Sequence, residues 1–337
     1  MKKSPLKALF IMTMVLSTLM SVTANSWLGV WMGLEINMIS FIPLMSYDLT
    51  HNLEVSSIKY FIVQTIASIT LIMAFITFML SKPNQLKEGI SMMMTLALAM
   101  KIGGSPMHFW LPEVMENLSW NNCIILMTWQ KIAPMVAISY IKSNNPLMVI
   151  IIMSSAVVGA VMGMNQISLR MLMAYSSINH VGWLLAAIKT NMMIWLLYLV
   201  VYSLLTTLIS YVFKSTNNML INELFFNYNN SKPFKFTLMT SMLSLGGMPP
   251  LLGFLPSWIL IQELASQSSP FMLMTLILSS TITLYFYMKL FVAGGVLSLK
   301  ENKWNLNNIS MNKTSISCIM MNATSIVGLT LSLLTVQ

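Results

Sequence analysis

The sequence predicts an all-α, polytopic membrane protein of about eleven transmembrane helices, two of them broken, with its halves related as inverted repeats. Composition is the first ground: 56% of the residues are hydrophobic and 8% charged, and mean hydropathy is +0.75. A soluble chain carries about a quarter charged residues. The second ground is the recurrence of apolar runs of about 17 residues or more, the length that spans a bilayer core. The third is a pair of such runs interrupted by a glycine pair and then proline, in corresponding places of the two halves. That arrangement is the sequence sign of an inverted-repeat transporter.

The spans fall near 5–23, 26–46, 56–80, 88–117 (broken), 121–141, 146–165, 168–188, 191–213, 236–263 (broken), 271–295 and 314–334. They form one membrane domain, 1–337, with a first-half repeat over about 26–188 and a second over about 191–334. Net charge is +9, and most of the basic residues lie between the spans. This favours anionic lipid over nucleic acid as the partner of the charge. With the N-terminus on the positive side, that side holds Lys2, Lys3, Lys7, Lys59, Arg170, Lys214, Lys232, Lys235, Lys300, Lys303 and Lys313. The opposite side holds Lys82, Lys87, Lys142 and Lys189. The asymmetry sets the N-terminus inside and, with eleven spans, the C-terminus outside. Cys123 and Cys318 form neither a cluster nor a disulfide framework.

The chain opens MKKSPLKALF, like a signal peptide, but shows no convincing cleavage site before Asn25, so this is read as a retained first helix. The second span places Glu35 eight residues past Trp27, roughly 12 Å deep and near the midplane. Gly29 and Gly33 form a small-xxx-small pair for close helix packing. The third span starts at Lys59 and Tyr60, where a lysine either snorkels or serves a proton path.

The fourth span, MMMTLALAMKIGGSPMHFWLP from Met92 to Pro112, is the organising one. An isolated ammonium in a membrane interior costs roughly 2.5–3.5 kcal/mol on insertion scales, so Lys101 needs a reason. Gly103, Gly104 and Pro106 unwind the helix beside it. Unwound backbone survives at membrane depth only inside protein or along a watery cavity. A charge beside such a break reads as part of an ion path; the competing reading is a snorkelling lysine and a plain loop. Past the break come His108 and then Glu113 and Glu116, read as solvated interfacial carboxylates.

In the fifth span Lys131 lies nine residues after Asn122, roughly 13 Å deep. Pro134 frees the backbone carbonyl of Gln130 as an acceptor for an ammonium and predicts a kink there. The sixth span repeats the small-residue spacing at Gly159 and Gly163. The seventh carries Tyr175, Ser176, Ser177, Asn179 and His180; the histidine is either a satisfied polar contact or a proton relay. After the eighth, a polar loop from Ser215 to Lys232 divides the chain. The ninth span has the second break, Gly246, Gly247, Pro249 and Pro250, followed by Gly253 and Pro256. Five spans, the fourth to the eighth, are counted between the breaks, so the chain meets them in opposite directions. In the tenth, Lys289 lies eighteen residues past Phe271, roughly 27 Å along and near the far face, where it snorkels. The chain contains no dinucleotide or phosphate-binding glycine loop and no paired Cys/His cluster.

Taken together, NSWLGVWMGLEINMISFIPL, KYFIVQTIAS, KIGGSPMHFWLPEV, TWQKIAPM, LMAYSSINHVGW, GGMPPLLGFLP and LYFYMKL resemble the family of subunit 2 of the mitochondrial NADH:ubiquinone oxidoreductase, respiratory complex I, in its animal, arthropod form. The resemblance implies an antiporter-like, proton-pumping membrane-arm subunit of the mitochondrial inner membrane, N-terminus in the matrix and C-terminus in the intermembrane space. It implies other membrane-arm subunits as partners beside lipids such as cardiolipin. Flavin, iron–sulfur clusters and ubiquinone belong to partner subunits, and this chain holds no cofactor or metal. By motif, Glu35 matches the family glutamate, Lys101 the lysine of the broken helix, Lys131 the lysine of the following helix, and His108 a histidine beside the break. These three charges carry the proton path; His108, Lys59, His180, Ser257 and Lys289 are secondary candidates. Two departures stand out: GFLPSW places Ser257 where the family has lysine, and Lys289 stands where relatives carry arginine.

On this reading Glu35 and Lys101 form an ion pair, and Ser257 occupies a polar, hydrated pocket. Two other readings stay open: a structural scaffold with vestigial charges, and a stand-alone cation/proton antiporter. Continuous hydration between Lys101, Lys131 and the positive side favours the pump; dry, snorkelled or separated charges favour the scaffold.

Overall fold

The computed structural model describes residues 5–46, 51–80, 87–141, 145–216, 219–221, 223 and 232–295. It is built of helices: α1 Pro5–Thr23, α2 Trp27–Ser46, α3 His51–Leu80, α4 Lys87–Ile102, α5 Trp110–Asn117, α6 Trp120–Met127, α7 Trp129–Ser139, α8 Pro146–Gly163, α9 Leu169–Thr190, α10 Met192–Thr216, α11 Lys232–Leu245, α12 Phe254–Ser266 and α13 Pro270–Gly295. The described residues contain no strand; an isolated antiparallel bridge joins Ser168 to Leu220 within the polar connection. Seven helices, namely α1, α2, α3, α8, α9, α10 and α13, are each long and apolar enough to cross a membrane. Three further predicted spans are each assembled from two shorter helices: α4 with α5, α6 with α7, and α11 with α12. The eleventh span, 314–334, lies outside the described residues.

α3 starts at His51 rather than near 56. At 1.5 Å per residue its 30 residues extend roughly 45 Å, beyond a ~30 Å hydrocarbon core. Its polar first turn, with Glu54 suited to a helix N-terminus, is helical without being apolar, which is why hydropathy alone misses it.

Both predicted breaks are present, and they share one geometry. At the end of α4, Gly103 has φ +82, its N–H donates to Met100 O at 3.2 Å, and Gly104 N–H donates to Ala99 O at 2.9 Å. At the end of α11, Gly247 has φ +77, its N–H donates to Ser244 O at 3.1 Å, and Met248 N–H donates to Leu243 O at 3.2 Å. Each is a Schellman stop with glycine in the left-handed position. The shared register places Leu245 of the second break where Lys101 stands in the first.

The fifth span departs from expectation. Pro134 sits inside α7, and the helix is interrupted earlier, at Thr128 (φ −111, ψ −68). Proline crowds the carbonyl four residues before it, Gln130, so the distortion runs towards the N-terminus. The Lys131 N–H there donates to Thr128 O at 3.4 Å, three residues back.

The chain forms two compact units, one of residues 1–155 with 180–192, the other of 156–179 with 193–337. In the first, α2 packs on α1 and α3, α3 on α4 and α5, and α7 on α1, α2, α4 and α6. Gly33 makes the α1–α2 contact possible, since a Cβ there would lie 2.8 Å from the Ser21 backbone nitrogen. In the second unit α13 packs on α11 and α12. There a Cβ on Gly159 would lie 2.4 Å from Asn179 N, as the small-residue spacing predicts.

Candidate functional site

Lys101 occupies the last turn of α4, where the helix dipole favours a cation. The turn is held from several directions. Gln64 Nε2 on α3 donates to Lys101 O at 3.2 Å, and the Trp110 indole donates to Met100 O at 3.1 Å. The Lys101 side chain is almost fully buried, and its Nζ lies 3.7 Å from Glu35 Oε1 on α2. That separation is an ion pair, longer than a charge-assisted hydrogen bond. Neither of the two atoms has a hydrogen-bond partner among the described residues.

Lys131, in the first turn of α7, is also buried. It shares with Lys101 a cavity of about 20 Å³, bordered by Asn37, Tyr60, Gln64 and Gln130. That volume holds about one water molecule. Glu35 is not among the cavity's walls. The Gln130 side chain is engaged with Asn37 of α2: Asn37 Nδ2 donates to Gln130 Oε1 at 2.8 Å, and Gln130 Nε2 donates to Asn37 Oδ1 at 3.1 Å. Tyr60 is pinned edge-on by Phe41 and Trp110, with ring centroids 5.4 and 5.8 Å away. His180, on α9, stands within electrostatic reach of Lys131.

The remaining candidates lie apart from this cavity. His108 is buried in the first break with Nδ1 3.2 Å from Pro106 O. A carbonyl only accepts, so Nδ1 carries the proton; Nε2 has no partner among the described residues. Lys59 pairs with Glu113 at 2.5 Å across α3 and α5, both side chains about half exposed. Glu113 is half-exposed, in keeping with a solvated interfacial carboxylate, and is ion-paired as well.

In the second unit, Ser257 lies half-buried in the first turn of α12. Its hydroxyl donates to Phe254 O at 2.8 Å, one turn back on α12. A serine in a helix satisfies itself this way when no outside acceptor competes. Lys289 is exposed on α13, in keeping with snorkelling.

Sequence reasoning passed over Asn37 and Gln64. Their signal is an amide inside an apolar span, where a polar group is expensive and marks function or packing.

The chain matches the model of the family described as NADH:quinone oxidoreductase/Mrp antiporter, TM, over residues 24–283. It is 39% identical over 316 residues to NADH-ubiquinone oxidoreductase chain 2 of Locusta migratoria, covering 93% of this chain and 92% of the relative. It is 44% identical over 306 residues to the protein of that name from Anopheles gambiae, covering 89% of each. Among solved structures it resembles a chain of respiratory complex I from Thermus thermophilus, with TM-score 0.86 and 20% identity over 97% of this chain and 79% of that one. It also resembles a chain of the Mrp complex from a Dietzia species, with TM-score 0.78 and 13% identity over 96% of this chain and 75% of that one. At these identities the structural likeness is one of fold.

Proposed function

The chain belongs to the NADH:quinone oxidoreductase/Mrp antiporter transmembrane family, and from that membership we propose that it translocates protons through Glu35, Lys101 and Lys131 as a non-redox core subunit of NADH:ubiquinone oxidoreductase. It is a multi-pass membrane subunit of an oxidoreductase complex. The observation that carries the proton path is the burial of Lys101 and Lys131 on one water-sized cavity, with Glu35 3.7 Å from Lys101.

Two charges withdrawn from water are stable together only while each neutralises the other. A charge arriving from a neighbouring subunit competes for Glu35 or Lys101, changes the proton affinity of the member left behind and displaces a proton towards Lys131. Water in the cavity carries it, because lysine side chains without a bridging donor and acceptor pass no proton between them. Redox energy enters in partner subunits, which hold flavin, iron–sulfur clusters and ubiquinone. The membrane is the mitochondrial inner membrane, with the basic face and the N-terminus in the matrix, where anionic lipid such as cardiolipin meets the lysines.

The test is Lys131→Ala in the assembled complex, reconstituted in sealed vesicles. The variant should assemble to the native size on a native gel and still reduce ubiquinone, while protons translocated per NADH fall. An unchanged ratio would rule out a path through Lys131 and leave the chain a scaffold.

A further inference from the structure

The reciprocal amide pair of Asn37 and Gln130 takes no part in the charge relay, yet it borders the cavity together with both lysines. Asn37 is buried on α2, two residues from Glu35; Gln130 precedes Lys131 on α7. One helix therefore carries the acid that holds Lys101 and an amide that holds the neighbour of Lys131. Resting on the proton-path reading, we propose that the Asn37–Gln130 pair is a gate on the cavity that Lys101 and Lys131 share, closed when the two amides bond each other and admitting the further water that conducts when they bond water instead.

The chemistry of the pair suits this task. A primary amide has two donor hydrogens and two acceptor sites, and neither amide takes up or releases a proton at neutral pH. The pair therefore passes protons only by holding water. In the reciprocal form each amide spends a donor and an acceptor on the other, at 2.8 and 3.1 Å, so nothing is inserted between them. Exchanging amide–amide for amide–water hydrogen bonds is nearly balanced in free energy, so a small bias is enough to switch the pair. The adjoining cavity, about 20 Å³, supplies room for the first water.

The hinge is also present. Gln130 lies two residues past the interruption at Thr128, where the Lys131 N–H bond is stretched to 3.4 Å. The first turn of α7 therefore rotates at less cost than a turn inside a continuous helix. A shift of α2 as Glu35 exchanges partners pulls on Asn37, which couples the charge movement to the gate. Asn37 and Gln130 are positioning residues here, acting through water on the lysines.

The experiment compares variants of the assembled complex in sealed vesicles turning over with NADH and ubiquinone, with the size of the complex on a native gel as the measure of assembly. Asn37→Leu with Gln130→Met keeps shape and volume but removes every amide. Protons per NADH should fall as far as in Lys131→Ala, with no increase in passive leak. Asn37→Ala with Gln130→Ala removes the closed form and opens space. Passive proton conductance should rise about tenfold, as expected when the closed state loses its paired hydrogen bonds. Exchanging the two amides, Asn37→Gln with Gln130→Asn, keeps the pair and should retain native coupling. Native proton yield in the Leu/Met variant while Lys131→Ala fails overturns the gate and leaves the path standing. Native yield in both overturns the path, and the gate with it.

Discussion

Glu35 and Lys101 illustrate how finely a buried pair is balanced. Their 3.7 Å separation leaves them attracted but not hydrogen-bonded to each other. Removing one partner of a buried pair strands the other charge, at a cost of about 3–5 kcal/mol, whereas removing both is often neutral. Glu35→Gln should accordingly lower the thermal stability of the assembled complex more than Glu35→Gln combined with Lys101→Met. A double variant as unstable as the single would show that the pair is not the source of the strain. Ser257 makes the opposite case. Its hydroxyl bonds its own helix, at Phe254 O, and losses of this kind stay within about 0.5 kcal/mol. Ser257→Ala should leave proton yield per NADH unchanged; a fall would restore the serine as a relay.

The two breaks are the same local device in different surroundings. Gly103 and Gly247 both adopt positive φ, which costs a residue with a Cβ about 1–2 kcal/mol. A Cβ at Gly103 would also lie 2.6 Å from Leu111 Cδ1, whereas one at Gly247 meets nothing within 4 Å. Gly103→Ala should therefore destabilise the complex more than Gly247→Ala, measured as the shift in melting temperature. Gly253 is more constrained than either, since a Cβ there would fall 1.7 Å from Ser244 O. No rotation of a side chain relieves a clash with backbone, so Gly253→Ala should prevent accumulation of the folded subunit. Equal tolerance of alanine at all three sites would contradict this packing.

At the level of the whole molecule, α1 and α3 turn large apolar side chains outward, among them Leu9, Met12, Leu16, Ile62, Ile66 and Ile69. Such surface is tolerated only against lipid or neighbouring subunits. Transmembrane direction follows from charge, and α10 provides the test. It runs from Met192 to Thr216 with Lys189 just before it and Lys214 near its end. Its 25 residues extend roughly 37 Å, enough to cross the ~30 Å core. On the proposed orientation, a membrane-impermeant thiol reagent should label Lys214→Cys from the side of the N-terminus and Lys189→Cys from the opposite side. The reverse pattern would invert the assigned topology.

The seven long apolar helices, the two breaks and the small-residue contacts were legible in the sequence, because each depends on local chemistry. Hydropathy adds residue by residue, and glycine and proline act on their own backbone. The ion pair of Glu35 and Lys101 was legible because two costly charges in one bundle have few ways to be neutralised. The interruption at Thr128 instead of Pro134, the Lys59–Glu113 pair, the Gln64 contact and the inward partner of Asn37 were not. Each depends on how a helix is rotated about its axis. In water, a polar stripe reveals that rotation; in lipid, both faces of a helix are apolar and nothing in the pattern marks the inner one. Asn37 and Gln130 lie 93 residues apart in sequence and meet only because α2 and α7 pack face to face. The sequence by itself determined which groups enter the membrane, because hydropathy and depth add along the chain, and tertiary packing decided which of them turn inward and touch, because that depends on helix rotation.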